Sequence, residues 1–380
     1  MQIRSKLPDV GVTIFSVMTQ LSNDHGALNL SQGFPDFDPD PELKARVAAH
    51  IQSGSNQYAP MPGVPALREK IAEKTRRIYG AAYDPATEIT VTAGATEALF
   101  AAITAVVSPG DEVIVLEPAY DAYVPVIRLN GGVPVFVKLT FPDYRVDWDR
   151  VKEALTPKTR LIIFNSPHNP TGAVLSAEDM ATLSRLVADR RTLILSDEVY
   201  EHIVFDGARH ESMARYPALA ERSFVISSFG KTYHATGWKV GYCLAPAPLS
   251  REFQKVHQFL TFAVNTPVQY AYADFLDRRA PYEDLPAFYQ KKRDLFQKLI
   301  AGSRFRVLPC HGTYFQMLGY AAISDAPDTE FARRITTEHG VAAIPPSVFY
   351  HDGTDHGVLR FCFAKTDETL MAAAEKLCRI

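Results

Sequence analysis

Cysteine is scarce in this chain of 380 residues: Cys243, Cys310, Cys362 and Cys378 stand far apart, and none falls in a C-x-x-C arrangement. That spacing argues against both a disulfide framework and a structural zinc site, and it fits a reducing cytosol. Long apolar runs are missing too, and none approaches the length needed to span a bilayer. The first 18 residues have the outline of an export signal, with Arg4 and Lys6 ahead of an apolar stretch over residues 10–17. Asp9 interrupts that stretch and no small-residue cleavage site follows, so a cytoplasmic protein is expected. An excess of one charge is also absent. Forty basic and 43 acidic residues leave a net charge of −3, with no Lys/Arg run beyond pairs such as Arg76-Arg77 and Arg190-Arg191. Nucleic acid and anionic membranes are therefore not expected partners. Internal repeats, low-complexity tracts and flexible linkers are lacking as well.

What remains is a long chain, 47% hydrophobic, enough to fill two packed units. Apolar runs bounded by turn residues recur at 89–92, 112–116, 133–139, 161–165, 193–196, 224–227 and 240–245, and each reads as a strand buried on both faces. Helical patterns at 96–107, 120–129 and 177–190 lie between them. This alternation predicts an α/β fold, with a mostly parallel sheet flanked by helices. A charged helical stretch at 289–300, a hairpin zone at 305–318 and a closing helix at 367–378 predict a smaller α+β unit. The expected division is a large domain over 45–275, a small domain over 276–380, and an arm over 1–44 that belongs partly to the small domain. The arm, with Pro35, Pro39 and Pro41, reads as irregular and draped over a neighbour.

In an open parallel sheet, ligands collect beyond the carboxyl ends of the strands. The run at 224–227 ends in Ser228-Phe229-Gly230-Lys231-Thr232 and continues to Thr236-Gly237-Trp238-Lys239-Val240-Gly241. A lysine buried there beside other charges has a lowered pKa, and its free amine can form a Schiff base with an aldehyde. Gly230-Lys231-Thr232 also has the outline of a nucleotide P-loop, but Val225 stands where that motif requires glycine. A Schiff-base cofactor of the pyridoxal phosphate (PLP) type needs an anion at its ring nitrogen, donors at its phenolic oxygen, a ring clamp and a phosphate cradle. Asp197, ending the run at 193–196, suits the ring nitrogen. Asn169 and Tyr200 suit the phenolate, and Tyr120 suits stacking on the ring. Ser228, Lys239, Thr96 and the amides of Gly94, Ala95 and Thr96 suit the phosphate. His168, His234 and His257 read as structural or as supports behind the residues that touch the cofactor, because lysine already supplies the proton transfer.

Six motifs in a fixed order carry a resemblance over nearly the whole chain. They are Leu30-Ser31-Gln32-Gly33-Phe34-Pro35-Asp36-Phe37, Asn56-Gln57-Tyr58, Asn169-Pro170-Thr171-Gly172, Asp197-Glu198-Val199-Tyr200, Ser228-Phe229-Gly230-Lys231 and Leu359-Arg360-Phe361-Cys362-Phe363-Ala364. With them the chain resembles the fold-type I PLP enzymes, specifically the class I/II aminotransferases of the branch that holds methionine and kynurenine aminotransferases. The resemblance implies that Lys231 carries the cofactor as a Schiff base and that Arg360 clamps the substrate α-carboxylate, with the Gly33 amide and the Asn169 side chain at the same group. It implies that Tyr58 reaches the cofactor phosphate of a partner subunit, so that the active site is shared in a homodimer. Phe15 occupies the place of a substrate-facing aromatic. The chain departs from many relatives at Ala173, where they have lysine, and at Tyr120, where animal kynurenine enzymes have phenylalanine.

The chemistry so implied is ping-pong transfer of an amino group from an amino acid to a 2-oxo acid. No second arginine is evident for a side-chain carboxylate, so a neutral donor is expected: methionine first, then aromatic amino acids, glutamine or kynurenine. The rival on the same scaffold is a carbon–sulfur β-lyase, which makes pyruvate and ammonia without an acceptor. A more distant alternative is a non-catalytic ligand sensor, though such proteins carry a DNA-binding domain for which this chain has neither room nor basic surface.

Overall fold

A computed structural model describes residues 4–380; the part of the arm reading that falls on residues 1–3 lies outside the described residues. Strands form where β-branched and other apolar residues leave no polar face. The first, Leu28–Asn29 (β1), is short. Seven follow: Ile89–Thr92 (β2), Glu112–Glu117 (β3), Val133–Lys138 (β4), Thr159–Asn165 (β5), Leu193–Asp197 (β6), Ser223–Ser228 (β7) and Gly241–Leu244 (β8). The last four are Arg306–Val307 (β9), Phe315–Gly319 (β10), Val341–Ala342 (β11) and Val358–Cys362 (β12).

The seven form one sheet in the order β2-β8-β7-β6-β5-β3-β4. Only β8 runs against its neighbours; every other adjacent pair is parallel. Successive side chains point to opposite faces. Val113, Val115, Leu195 and Ile226 therefore pack on one side with Leu99, Ile103 and Phe253 of the helices Ala95–Val106 and Ala247–Leu260. Ile114, Leu116, Ile162 and Val225 pack on the other with Ile71, Val268 and Tyr272 of Pro65–Tyr79 and Thr266–Phe275. A sheet covered on both faces is what the unbroken apolar runs require.

β4 departs from that expectation. It lies at the sheet edge with one strand neighbour, and Val133 is 48% exposed. The helix expected over 120–129 begins at Tyr123, which leaves Tyr120 in the preceding turn.

A second core holds β12-β10-β9 in antiparallel order and the parallel pair β1-β11. Leu30, Phe296, Phe361 and Leu370 belong to it, and so does Met18. The arm is irregular over 30–40, around Pro35 and Pro39, but helical on either side of that stretch. Thr13 caps a helix over Ile14–Asp24 by accepting from the Ser16 amide, and Asp40 caps another over Pro41–Gln52. Proline at the first helical position starts a helix rather than breaking it, which is why Pro41 misleads as a breaker. No helix among the described residues is long and apolar enough to cross a membrane.

Central and edge strands should differ in tolerance. Ile114→Ala is expected to cost about 2–5 kcal/mol of unfolding free energy and Val133→Ala less than about 1 kcal/mol, measured by denaturant unfolding.

Candidate active site

The parallel strands deliver their carboxyl ends to one place. Asn165 closes β5 in register with Asp197 at the end of β6, and β7 ends in Ser228 with Lys231 one helical turn beyond. There a cavity of about 270 Å³ opens, lined among others by Phe15, Gly33, Tyr120, Asn169, Tyr200 and Arg360. Gly94, Ala95, Thr96, Asp197, Ser228, Lys231 and Lys239 complete the set of residues singled out above, with one exception. Tyr58 does not line it. That ring is 84% exposed and meets Phe262 edge-on at 5.5 Å.

Asp197 is buried. Tyr123 Oη donates to its Oδ2 at 2.7 Å, and the Val199 amide donates to Oδ1 at 3.3 Å. Burial pushes its carboxyl up to about 6, against the pull of those two donors. Asn165 Nδ2 donates to the Asp197 carbonyl at 2.9 Å, and its Oδ1 accepts from the Asn169 amide at 2.8 Å. One side chain thereby sets the spacing between two candidate cofactor contacts.

Lys231 Nζ donates to the Gly33 carbonyl at 3.0 Å, an oxygen that also accepts from Tyr314 Oη at 2.6 Å. It lies 5.7 Å from the centre of the Tyr200 ring and 5.8 Å from that of Tyr314. Burial, with the cations Arg360 and Lys239, brings its ammonium down to about 8. A lysine poised there is available as a neutral amine near neutral pH.

Arg360 stands on β12, 1% exposed. Its Nη1 donates to Asn169 Oδ1 at 2.7 Å and its Nη2 to the Ser31 carbonyl at 2.6 Å. Both acceptors are neutral, and the buried Nε has no partner. The guanidinium lies 4.0 Å from the Phe315 ring centre and 5.3 Å from that of Phe15. Burial lowers its pKa to about 10. A buried cation lacking a counter-charge among its hydrogen-bond partners suits a bidentate carboxylate.

The anion corner is the start of helix Ala95–Val106. Gly94 precedes it at φ 79° with no side-chain cap. The Gly94 amide donates to the Thr92 carbonyl at 2.7 Å, and Gly94, Ala95 and Thr96 all line the cavity at this corner. Lys239, itself at φ 54°, extends its side chain over Gly94. A Cβ on Gly241 would stand 2.7 Å from the Ser227 carbonyl oxygen and 3.0 Å from the Ala95 nitrogen, so this turn closes only with glycine. A helix start with free amides and a cation fits a phosphate. With the Asp197 carboxylate and the Lys231 amine in the same cavity, the residues fit PLP.

The sequence reading passed over Tyr123, Asn165 and Tyr314. Tyr123 follows Tyr120 by three residues, and Asn165 ends a strand beside Asp197, so both had a positional signal; Tyr314 had none. The three histidines stand outside the cavity wall. His168 Nδ1 meets Thr171 Oγ1 at 2.8 Å, His257 lies between Glu97 Oε1 and the Met61 carbonyl at 2.9 Å each, and the His234 ring packs edge-on against Phe37.

Residues 26–377 match the family model described as aminotransferase class I and II. The chain is 54% identical to methionine aminotransferase of Escherichia coli, over 98% of this chain and 97% of that protein. It is 36% identical to kynurenine–oxoglutarate transaminase of Dictyostelium discoideum, over 97% and 94%. A crystal structure from Escherichia coli, reported with a methionine aminotransferase function, superposes with a TM-score of 0.98 at 53% identity, covering 100% of both chains.

The lysine shift sets a pH dependence. Because its pKa falls from 10.5 to about 8 on folding, the unfolded chain binds the proton more tightly, and stability rises as pH goes from about 8 to 10.5. In the cofactor-free protein, Lys231→Met should raise the melting temperature by a few degrees below pH 8, and scanning calorimetry should show that gain fading as pH nears 10.5.

Proposed function

Because the chain belongs to the class I and II aminotransferases, which depend on pyridoxal 5′-phosphate, we propose that it moves the amino group of methionine to a 2-oxo acid. When bound, that cofactor supplies an electron sink for the bonds at an amino acid Cα. In our reading Lys231 Nζ would hold it covalently, Asp197 would keep its ring nitrogen protonated, and Tyr200 and Asn169 would donate to its phenolic oxygen. Tyr120, in the cavity wall, would stack on its ring. Ser228, Lys239, Thr96 and the Ala95 amide hold its phosphate.

Arg360 binds the substrate α-carboxylate, helped by Asn169 and the Gly33 amide, and so fixes which Cα bond faces Lys231. Lys231 Nζ, freed when the substrate's amino group takes its place, would accept the Cα proton as a neutral amine and later return it. Both substrates of the ping-pong cycle use the same Arg360 clamp. The observation that carries this reading is the convergence of a pKa-lowered lysine, a buried carboxylate and an arginine without an anionic partner on one cavity.

Three features favour a neutral donor. Arg360 is the one arginine lining the cavity among the described residues, and Phe15, Phe34, Leu99 and Phe315 supply apolar wall. Identity to methionine aminotransferase points the same way. Aromatic amino acids, glutamine and kynurenine are further donors on this reading.

The rest of the proposal concerns assembly. Tyr58, Phe259 and Phe262 are exposed at 84%, 86% and 46%, an apolar surface that a second copy would cover. Tyr58 then reaches the partner's cofactor phosphate in a homodimer. The division into 45–275 and 276–380, with 1–44 joining the smaller unit in part, is supported by the cluster that gathers Met18, Leu30, Phe296, Phe361 and Leu370 away from the two sheet faces, although Tyr200, Ile203 and Phe205 join that cluster and Leu308, Met317 and Val358 join a sheet-face one. Four unpaired cysteines are in keeping with the cytosol.

The test is a donor panel with several 2-oxo acids. Methionine should exceed aspartate and no ammonia should appear; aspartate preference would overturn the donor assignment, and ammonia with pyruvate from a cystathionine-like donor would favour the lyase. Lys231→Ala should cost about 10²–10⁴-fold in turnover.

A further inference from the structure

Glu201 directly follows Tyr200 and is buried, yet it belongs to no part of the cavity described above. Its carboxylate accepts from Lys74 Nζ at 2.8 Å, from Tyr242 Oη at 3.1 Å and from Tyr79 Oη. Lys74 also donates to Tyr242 Oη at 2.9 Å. Lys74 and Tyr79 come from helix Pro65–Tyr79 and Tyr242 from β8, and all four side chains are buried. Burial drives the Glu201 carboxyl up, but the Lys74 charge and the hydrogen bonds outweigh it and hold the group below the usual carboxylate range.

Tyr200 is bracketed from the other side as well. Glu198 accepts from Ser196 Oγ at 2.8 Å and from the Met213 amide at 3.0 Å, and it meets His210 Nε2 at 2.8 Å. Two buried carboxylates thus pin the turn that carries Tyr200. Tyr242 pairs with Ser227 across the β7–β8 ladder, one step before Ser228 and the chain to Lys231. The Glu201 network therefore joins the Tyr200 turn to the strand that presents Lys231.

A buried ion pair is poor evidence for stability, because well-packed apolar residues in its place are often as stable or more so. What it offers is directional bonding that fixes a position. We propose that Glu201 is a positioning residue for the transfer reaction: through Lys74 and Tyr242 it sets where Tyr200 stands relative to Lys231. This rests on the reading that Lys231 holds the cofactor and Tyr200 touches it.

Three variants test it as PLP-loaded holoenzymes beside the wild type. Glu201→Asp shortens the arm by one methylene. Lys74→Met with Glu201→Leu removes both charges and leaves neither orphaned. Tyr242→Phe deletes a single oxygen and is mild enough to keep the fold. Each should lower kcat by about 10–100-fold, because small misplacement of reacting groups is costly. KM should move less than about twofold, and the pH midpoint of the bound cofactor's long-wavelength absorbance should shift by about half a unit or more. Wild-type kcat and an unmoved midpoint in folded Tyr242→Phe and the double variant would overturn the positioning role while leaving the cofactor reading intact. Absence of that absorbance in the wild type would overturn the cofactor reading, and the positioning role with it.

Discussion

Desolvation of charge at the ends of β6 and β7 and in the middle of β12 is the constraint on which the structure turns. An amine, a carboxylate and a guanidinium are withdrawn from water together, and burial acts on each in the direction that disfavours its charge. The protein meets this cost with neutral dipoles. Tyr123 and the Val199 amide serve Asp197, the Gly33 carbonyl serves Lys231, and Asn169 with the Ser31 carbonyl serves Arg360. Such partners leave net charge in the cavity, and that charge is what an anionic cofactor and an α-carboxylate would neutralise.

The scaffold explains why these groups can be held so closely. Parallel strands end side by side, so residues far apart in the chain, Asn165, Asp197 and Ser228, become neighbours without any loop having to span them. The second core contributes Arg360 from β12 and Phe315 from β10, and the arm contributes Gly33 and Phe15, so the cavity is closed by three parts of the chain.

Much of this is legible in the sequence, for a physical reason. Strands buried on both faces leave unbroken apolar runs, and the polar residue that ends such a run lies at the ligand-binding edge. Asp197, Asn169 and Lys231 were found in that way. An apolar run does not tell a covered edge strand from an uncovered one: β2 is buried throughout, whereas β4 leaves Val133 exposed. Proline at a helix start looks like proline in a loop, which hid the order of the arm around Pro41. A single turn hydrogen bond has no sequence signal, and so the bond from the Gly94 amide to the Thr92 carbonyl could be seen only in three dimensions. The same holds for Tyr123 and Tyr314, whose roles depend on where neighbouring elements place their hydroxyl groups.

Borohydride reduction of the PLP-loaded protein, followed by peptide mapping, tests the central assignment most directly. The cofactor should be fixed irreversibly on the peptide that contains Lys231. Recovery of the label on another lysine, or no label on any peptide, would contradict the account.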